Sequence, residues 1–429
     1  MHPEYRVILI GVHTDSETRE HFDETMEELS QLATTSGVVV VDSLVQHLKK
    51  PHVATYVGKG KLGEIANVAK NRHAHTLIFN NNLSPTQSRE ISDSTHCNVV
   101  DRTELILDIF AQHARTKQAK LQVEMAQLEY SFTKLKNLWK HLSRIQGGIG
   151  FRGPGEKQIE VDRRLIRRRI GILKEKLKTI GQVNQTKRKR RSSFISVALV
   201  GYTNAGKSTL FNQLTQENRY TADKLFATLD AKTRRLSGNF NQDVVLTDTI
   251  GFIRKLPHKL ISSFHSTLQE VVDADLLLHV VDVSHPNLFE LIQSVDDVLQ
   301  EISAYDKDLL MVFNKVDRME GTHFLFLKKK LAEMYPDHVL ISAISGQGMD
   351  ELENKIVTFI GHTRRAREIR IPAEMTNLKG FIKRSGEVLA EEYDARTHEA
   401  ILTVKIPRQL YPAIEKQISD FNLKKYIHK

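Results

Sequence analysis

The sequence has a single cysteine, a single tryptophan and no apolar run near the roughly 18 residues that a membrane-spanning helix needs. One cysteine, Cys97, excludes an intramolecular disulfide, and no cysteine and histidine group has the spacing of zinc ligands. The 10 prolines and 22 glycines are too few for a collagen-like or low-complexity chain. The first residues lack the basic region, apolar region and cleavage site of a secretory signal. We therefore expect a folded protein of the cytoplasm without a membrane span, and leave peripheral association with a membrane open.

Positive charge is concentrated in one segment. The chain has 62 Lys and Arg against 52 Asp and Glu, a net charge of +10. Residues 144–191 alone carry 16 basic and four acidic side chains, a local charge of +12. A localised basic stripe favours a polyphosphate partner such as a nucleic acid, because each neutralised phosphate releases counterions. The alternative is a solvated helix face that happens to be basic.

The order of apolar runs and helical patterns predicts a modular α/β protein. The first hundred residues alternate β-like runs (RVILIGV, GVVVVDSLV, TLIFN) with helical segments. Ser84 and Pro85 predict a helix start, with Ser84 as N-cap, and Cys97 is expected in the core. We predict an N-terminal α/β domain at 1–103, a helical hairpin with a glycine-rich tip at 104–191, a P-loop nucleotide-binding domain (the G domain) at 192–362, and a small α+β domain at 363–429.

The hairpin is predicted from helical periodicity. Asp101 to Ile145 is almost free of Gly and Pro and indicates one long amphipathic helix, and a second helix begins near Glu156. The intervening GGIGFRGPG allows close backbone approach to phosphate, or serves only as a flexible connection. Since paired helices bury only their shared seam, the basic face of the second helix stays free for a partner. The candidate RNA-binding residues are Arg144, Arg152, Arg163, Arg164, Arg167 and Arg168.

A phosphate-binding loop follows the hairpin. The buried-strand run SFISVALV leads into a G-x-x-x-x-G-K-[ST] motif and then an apolar helix. Backbone N–H groups of such a loop wrap a diphosphate, Lys207 reaches the outer phosphates, and the Ser208 hydroxyl ligates Mg²⁺. The expected nucleotide-binding residues here are Gly201, Tyr202, Thr203, Asn204, Ala205, Gly206, Lys207, Ser208 and Thr209.

The ends of later strands predict which nucleotide binds. DVVLTDTIGF ends in Asp248, Thr249, Ile250 and Gly251, where Asp248 is placed to hold Mg²⁺ and the Gly251 N–H can follow the γ-phosphate. DLLMVFNKVD ends in Asn314, Lys315, Val316 and Asp317. A carboxylate at Asp317 accepts both N1–H and the 2-amino group of guanine, which adenine cannot offer, so GTP is preferred. HVLISAIS supplies Ser342, Ala343 and Ile344 near the guanine oxygen.

With these elements in order, the G domain resembles translation-factor-class GTPases. The resemblance implies that Thr228 completes the contacts to Mg²⁺ and γ-phosphate, which gives Lys207, Thr228 and Gly251 as catalytic residues and Ser208, Thr228 and Asp248 as metal ligands. Phe252 stands where Ras-like enzymes have a water-orienting Gln, so we expect slow hydrolysis that a partner accelerates, unless another side chain or a monovalent cation replaces the Gln. The neighbouring nucleotide contacts implied are Phe226, Ala227, Leu229 and Asp230.

Motifs upstream of the G domain narrow the resemblance to the HflX family. They are TYVGKGKL from Thr55, NLSPTQ from Asn82, DRT from Asp101 and GGIGFRGPGE from Gly147. The family implies a GTPase that binds the large ribosomal subunit, lies on ribosomal RNA through its N-terminal domain and hairpin, and separates stalled or idle ribosomes, especially under stress; we expect a monomer when bound. The chain departs from the family at Ala231 and Lys232, where Pro and Thr are usual, and at Phe151, where Thr is usual.

Two other functions fit the same residues. One is a GTPase that acts in ribosome assembly or RNA modification on precursor particles. The other is an RNA-binding module gated by nucleotide, with little turnover, which the phenylalanine at position 252 allows.

Overall fold

The computed structural model describes residues 5–145, 154–189, 194–216, 226, 232–236, 244–249, 251–253, 265–363, 367–406, 411, 414–419 and 421. For residues 135–145, 154–160 and 184–189 the description covers the backbone. The strands are β1 (Arg6–His13), β2 (Val39–His47), β3 (Thr76–Phe79), β4 (Asn98–Asp101), β5 (Ile195–Val200), β6 (Lys232–Arg235), β7 (Val244–Asp248), β8 (Leu276–Asp282), β9 (Leu309–Asn314), β10 (His338–Leu340), β11 (Arg367–Pro372), β12 (Glu387–Asp394) and β13 (Glu399–Lys405).

The helices alternate with these strands through most of the chain. They are α1 (Arg19–Thr35), α2 (Lys59–Arg72), α3 (Pro85–Thr95), α4 (Arg102–His113), α5 (Lys117–Ile145), α6 (Pro154–Lys189), α7 (Lys207–Thr215), α8 (His265–Val272), α9 (Leu288–Glu301), α10 (Gly321–Met334), α11 (Met349–Thr363) and α12 (Thr376–Ser385). A short 3-10 helix spans Val316–Arg318. None of the described helices is long and apolar enough to cross a membrane.

The N-terminal sheet is parallel, in the order β2-β1-β3-β4, with helices on both faces. Alternate residues of β1 point to opposite faces. Val7 and Leu9 pack with α1 and α4, whereas Ile8 and Ile10 pack with α2 and α3. Ser84 caps α3, as the sequence predicts, in a reciprocal capping box, and Cys97 lies in the core.

The single helix expected from Asp101 to Ile145 is instead two helices. The α4 helix ends at His113, and Ala114 adopts an extended conformation. The hydroxyl of Thr116 accepts a hydrogen bond from the backbone N–H of Ala119 at 3.1 Å, which starts α5 as an N-cap does. Threonine caps helices well, so the chain can turn here without a glycine or a proline to mark the break.

The helices α5 and α6 pack against each other as the predicted hairpin, and α5 is anchored in the N-terminal domain. The Tyr130 hydroxyl donates to Asp101 Oδ2 at 2.5 Å, and Lys134 Nζ lies 2.9 Å from the same oxygen. Lys134 also pairs with Glu104 at 2.7 Å. Because Asp101 is fully buried, these contacts fix the base of the hairpin to the N-terminal end of α4.

The G domain has a sheet in the order β10-β9-β8-β5-β7-β6, in which β6 alone runs antiparallel to its neighbour. Its strands are nearly continuous apolar runs because helices cover both faces. The carboxyl ends of β5, β7, β8 and β9 meet at one edge, which positions the site described next. The C-terminal residues form an antiparallel sheet, β11-β13-β12, that packs on α12.

Candidate nucleotide-binding site

The phosphate-binding loop connects β5 to α7, and two of its positions require glycine. Gly201 and Gly206 have positive φ angles of 146° and 94°. A Cβ on Gly201 would lie 2.2 Å from the carbonyl oxygen of Val280, and one on Gly206 would lie 2.2 Å from Asn314 Nδ2. Both positions therefore exclude other side chains, because the loop lies directly against β8 and β9.

Two carbonyl oxygens of the phosphate loop orient the Lys207 side chain. Its side chain is buried, and Nζ donates to the carbonyl oxygens of Gly201 at 3.0 Å and Tyr202 at 2.6 Å. An ammonium has three donors, so one N–H remains for a phosphate oxygen. Burial lowers the pKa of Lys207 to about 8; the nearby Asp248 carboxylate opposes this shift and the Lys315 ammonium adds to it. A bound phosphate would compensate the buried positive charge.

Ser208 and Asp248 form an oxygen pair suited to Mg²⁺. The Ser208 hydroxyl donates to Asp248 Oδ2 at 2.9 Å, and Asp248 is 1% exposed. Hydroxyl and carboxylate oxygens are the ligands that Mg²⁺ prefers beside phosphates. The donor set thus fits the predicted metal. Nearby, a Cβ on Gly251 would lie 2.9 Å from Thr203 Cγ2 and 3.0 Å from Lys207 Nζ, which brings the Gly251 backbone next to the loop.

Asn314 connects the phosphate loop to the base-binding loop. Its Nδ2 donates to the Ala205 carbonyl at 2.9 Å, and its Oδ1 accepts from the Ala343 N–H at 3.0 Å. Lys315 pairs with Asp282 at 2.6 Å. Asp317 lies in the 3-10 helix and is exposed, so its carboxylate is accessible to a base. Ile344, near the buried Ser342, is also exposed. The structure thus brings these predicted residues to one edge.

The segments expected to respond to the γ-phosphate are described in part. Thr209 lies in α7 and Thr249 is buried, where its hydroxyl donates to the Leu199 carbonyl at 2.6 Å. Phe226 and Phe252 are buried in a core cluster shared with the N-terminal domain. The Phe252 ring therefore cannot orient a water molecule. The predicted residues Arg152, Ala227, Thr228, Leu229, Asp230 and Ile250 lie outside the described residues.

The N-terminal domain lies against the phosphate loop, which sequence reasoning did not anticipate. The Tyr202 hydroxyl donates to Glu28 on α1 at 2.5 Å, across 174 residues of sequence, and Asn287 donates to Glu24 on the same helix. The Phe110 and Phe226 rings meet edge to face, with centroids 4.6 Å apart. No local motif signals these contacts, because each joins residues far apart in the chain.

A cavity of about 320 Å³ lies between α1 and the phosphate loop. Its lining includes Glu27, Thr203, Asn204 and His279. The His279 ring is 1% exposed, and burial, with a smaller effect of the Lys207 ammonium, lowers the pKa of the imidazole to about 3. The imidazole is therefore neutral near pH 7, so His279 adds no positive charge to the cavity.

The hairpin arginines divide into two pairs. The guanidinium groups of Arg163 and Arg167 lie over the Phe132 ring of α5, at 5.6 and 5.1 Å from its centroid. Arg163 is half-buried there, whereas Arg167 is exposed, and the proposal that these arginines contact RNA stays a prediction. Arg164 and Arg168 are exposed. Arg144 lies in α5, where only the backbone is described.

Comparisons with known proteins match three family models to successive parts of residues 23–315. A family described as "GTP-binding GTPase N-terminal" matches residues 23–111, "GTP-binding GTPase Middle Region" matches 113–191, and "50S ribosome-binding GTPase" matches 196–315. A protein named GTPase HflX from Lacrimispora saccharolytica is 41% identical over 422 residues, 98% of this chain and 97% of its own. GTPase HflX of Escherichia coli is 40% identical over 91% of both chains.

Among solved structures, a GTP-binding protein from Sulfolobus solfataricus in complex with GDP is 27% identical, with a TM-score of 0.46 over 83% of this chain and 99% of that one. A complex of SsGBP with GDP is 28% identical, with a TM-score of 0.48 over 82% of this chain and 98% of that one.

Proposed function

This chain belongs to the HflX family of GTPases and hydrolyses GTP, and on that premise we propose that it binds the large ribosomal subunit and separates stalled or idle ribosomes into subunits. The observation that carries the proposal is the exposed basic side of α6, which belongs to a segment of charge +12 and packs on α5, the helix anchored at Asp101. The negative charge of ribosomal RNA, a large polyphosphate surface, is complementary to the positive charge of this side of α6. The proposed place of action is the cytoplasm.

Arg164 and Arg168 are the proposed RNA contacts within the described part of α6. They lie four residues apart, one helical turn, and both are exposed. Arg163 and Arg167, whose guanidinium groups lie over the Phe132 ring, are proposed to belong to the same RNA-binding surface, and Arg167 is itself exposed. Arg144 and Arg152 are proposed to extend the same basic surface toward the tip.

In the G domain, we propose that the phosphate loop binds the diphosphate of GTP through its backbone N–H groups and that Lys207 neutralises the outer phosphates. Ser208 and Asp248, with Thr228, would hold Mg²⁺, which neutralises charge on the β- and γ-phosphates. Gly251 follows the γ-phosphate through its N–H, and Asp317 accepts from guanine. Because the Phe252 ring is buried, water must be oriented by another group, so turnover is slow until the ribosome supplies or orders that group.

The proposed switch acts through binding. GTP orders the loops that carry Thr228 and Gly251, which fixes the G domain relative to the hairpin, and hydrolysis releases them. Phe226 and Phe252 support this coupling, since both lie within two residues of Thr228 or Gly251 in sequence and are buried in a core cluster shared with the N-terminal domain. Subunit separation then needs GTP binding only, and a non-hydrolysable GTP analogue should support it.

The test is GTP and ATP hydrolysis by the purified protein with and without large ribosomal subunits at fixed salt. Stimulation of GTP turnover by the subunits, and dissociation of ribosomes with the analogue, are expected. An R164A/R168A variant should lose the stimulation and keep its turnover alone, while R384A/R396A, which removes two exposed charges from the C-terminal domain, should keep both. No stimulation points to a nucleotide-gated RNA-binding module, and accumulation of immature subunits in cells without the protein points to an assembly factor.

A further inference from the structure

The second residue of the phosphate loop connects the two domains. Tyr202 is half-buried, and its hydroxyl donates to Glu28 Oε1 at 2.5 Å. A hydrogen bond from a hydroxyl to a carboxylate is stronger than one between neutral groups. The bond therefore ties the side chain of a nucleotide-binding residue to a helix of the N-terminal domain.

The Glu28 carboxylate is held in turn by a buried arginine, Arg102. Arg102 is 2% exposed and pairs with the second carboxylate oxygen of Glu28 through Nη2. Its Nη1 donates to Asn80 Oδ1 at 2.9 Å and to the Thr25 carbonyl at 3.4 Å. A buried guanidinium needs its counter-charge, so Arg102 holds the Glu28 carboxylate in one place. Asn80 completes the network by donating to the Thr25 hydroxyl at 2.8 Å.

The backbone carbonyl of Tyr202 contacts the catalytic lysine, Lys207. The Tyr202 carbonyl oxygen accepts from Lys207 Nζ at 2.6 Å, shorter than the 3.0 Å contact of the same ammonium with Gly201. The adjacent backbone is paired as well, since Thr203 N–H donates to the Phe252 carbonyl at 2.7 Å. A continuous set of contacts thus runs from Arg102 through Glu28 and Tyr202 to the ammonium of Lys207.

We propose that Glu28 is a positioning residue for GTP hydrolysis, acting through the Tyr202 hydroxyl to fix the loop carbonyl that orients the Lys207 ammonium. The N-terminal domain then completes the GTPase site without touching the nucleotide. Donors aimed at developing charge matter most in the transition state. Loss of the Glu28 contact should therefore lower kcat and leave KM nearly unchanged.

The experiment compares Y202F, E28Q and the double variant in the full-length protein, without ribosomes. Y202F removes a single oxygen and keeps the ring. Steady-state and single-turnover GTP hydrolysis give kcat and KM, and fluorescent GDP gives the dissociation constant. E27Q is the matched control. Glu27 is the adjacent, exposed carboxylate on α1, so this variant reports the effect of removing one negative charge from the same helix. Melting temperatures report folding.

We expect Y202F and E28Q each to lower kcat about five- to tenfold, with KM and the GDP dissociation constant within about twofold of wild type. The double variant should be no slower than the slower single variant, because both remove one interaction. Wild-type kcat in Y202F, effects that multiply in the double variant, or a rise in KM at constant kcat would each overturn the proposal. An equal loss of kcat in E27Q would also overturn the proposal, because removal of one negative charge from α1 would then explain the loss. If E28Q does not fold, Y202F decides the question alone.

Discussion

Replacing Asn314 with alanine should weaken nucleotide binding by separating the phosphate loop from the base-binding loop. The Asn314 side chain is 2% exposed and satisfies one group on each loop, the Ala205 carbonyl and the Ala343 N–H. Alanine removes the donor and the acceptor together. Both backbone groups are then left in a buried place without this partner.

The magnitude follows from those two groups. A buried polar group left without its partner costs about 1–3 kcal/mol, so two such groups cost about 2–4 kcal/mol when water relieves part of the penalty. Since about 1.4 kcal/mol is a factor of ten in an equilibrium constant, the dissociation constant for GDP should rise at least about 25-fold. The isosteric Asn314→Asp keeps an acceptor for Ala343 but sets a carboxylate oxygen against the Ala205 carbonyl, so it should bind no better than the alanine variant.

The assay is equilibrium titration with fluorescent GDP, accompanied by denaturant unfolding of the nucleotide-free protein. Asn377→Ala is the control, because Asn377 is exposed on α12 in the C-terminal domain. A dissociation constant within threefold of wild type for Asn314→Ala, in a folded protein, would refute the view that this side chain holds the two loops together.

Three further predictions concern the base, the phosphates and the domain interface. Asp317→Asn should shift preference from guanine to xanthine nucleotides, measured by competition binding; unchanged GTP affinity would contradict the assignment. Because the pKa of Lys207 is lowered to about 8, its ammonium loses the proton above that pH, and GDP should bind about tenfold more weakly at pH 9 than at pH 7. The free energy of unfolding of the nucleotide-free protein should rise over the same pH interval, because Lys207 keeps its proton up to about pH 10.5 in the unfolded chain. A free energy of unfolding that does not change with pH would argue against the lowered pKa. Phe110→Ala should cost about 3–5 kcal/mol in denaturant unfolding, against a small loss for the exposed Phe381→Ala; similar losses would show that the shared core contributes little.

Sequence reasoning succeeded where the chemistry is local. The glycines at 201 and 206, the lysine at 207 and the strand-end carboxylate at 248 are set by short-range geometry, and the structure brings them to one sheet edge. The helix start at Ser84 and Pro85 is another local signal, and the structure adds a capping box with Gln87 that was not predicted. Such features depend on residues a few positions apart, so a pattern can contain them.

Contacts between distant segments could not be predicted in the same way. Glu28 looks like an ordinary surface residue of an amphipathic helix, and nothing in its neighbourhood indicates that Tyr202 lies beside it. The break between α4 and α5 was missed because Thr116 is also compatible with a continuing helix. Arg163 and Arg167 have the same four-residue spacing as Arg164 and Arg168, so only the packing of α5 on α6 shows which pair lies over Phe132.

The attachment of the hairpin at Asp101 has a mechanical consequence. One buried carboxylate meets the tyrosine and the lysine of α5 and also caps α4, whose Phe110 packs on Phe226 of the G domain. Tyr130 and Lys134 lie in the middle of the 29-residue helix α5, so we expect a force on its end near Ile145 to act about this buried attachment and to load α4. We therefore expect a displacement of that end of α5 to be transmitted through α4 to the contact between Phe110 and Phe226.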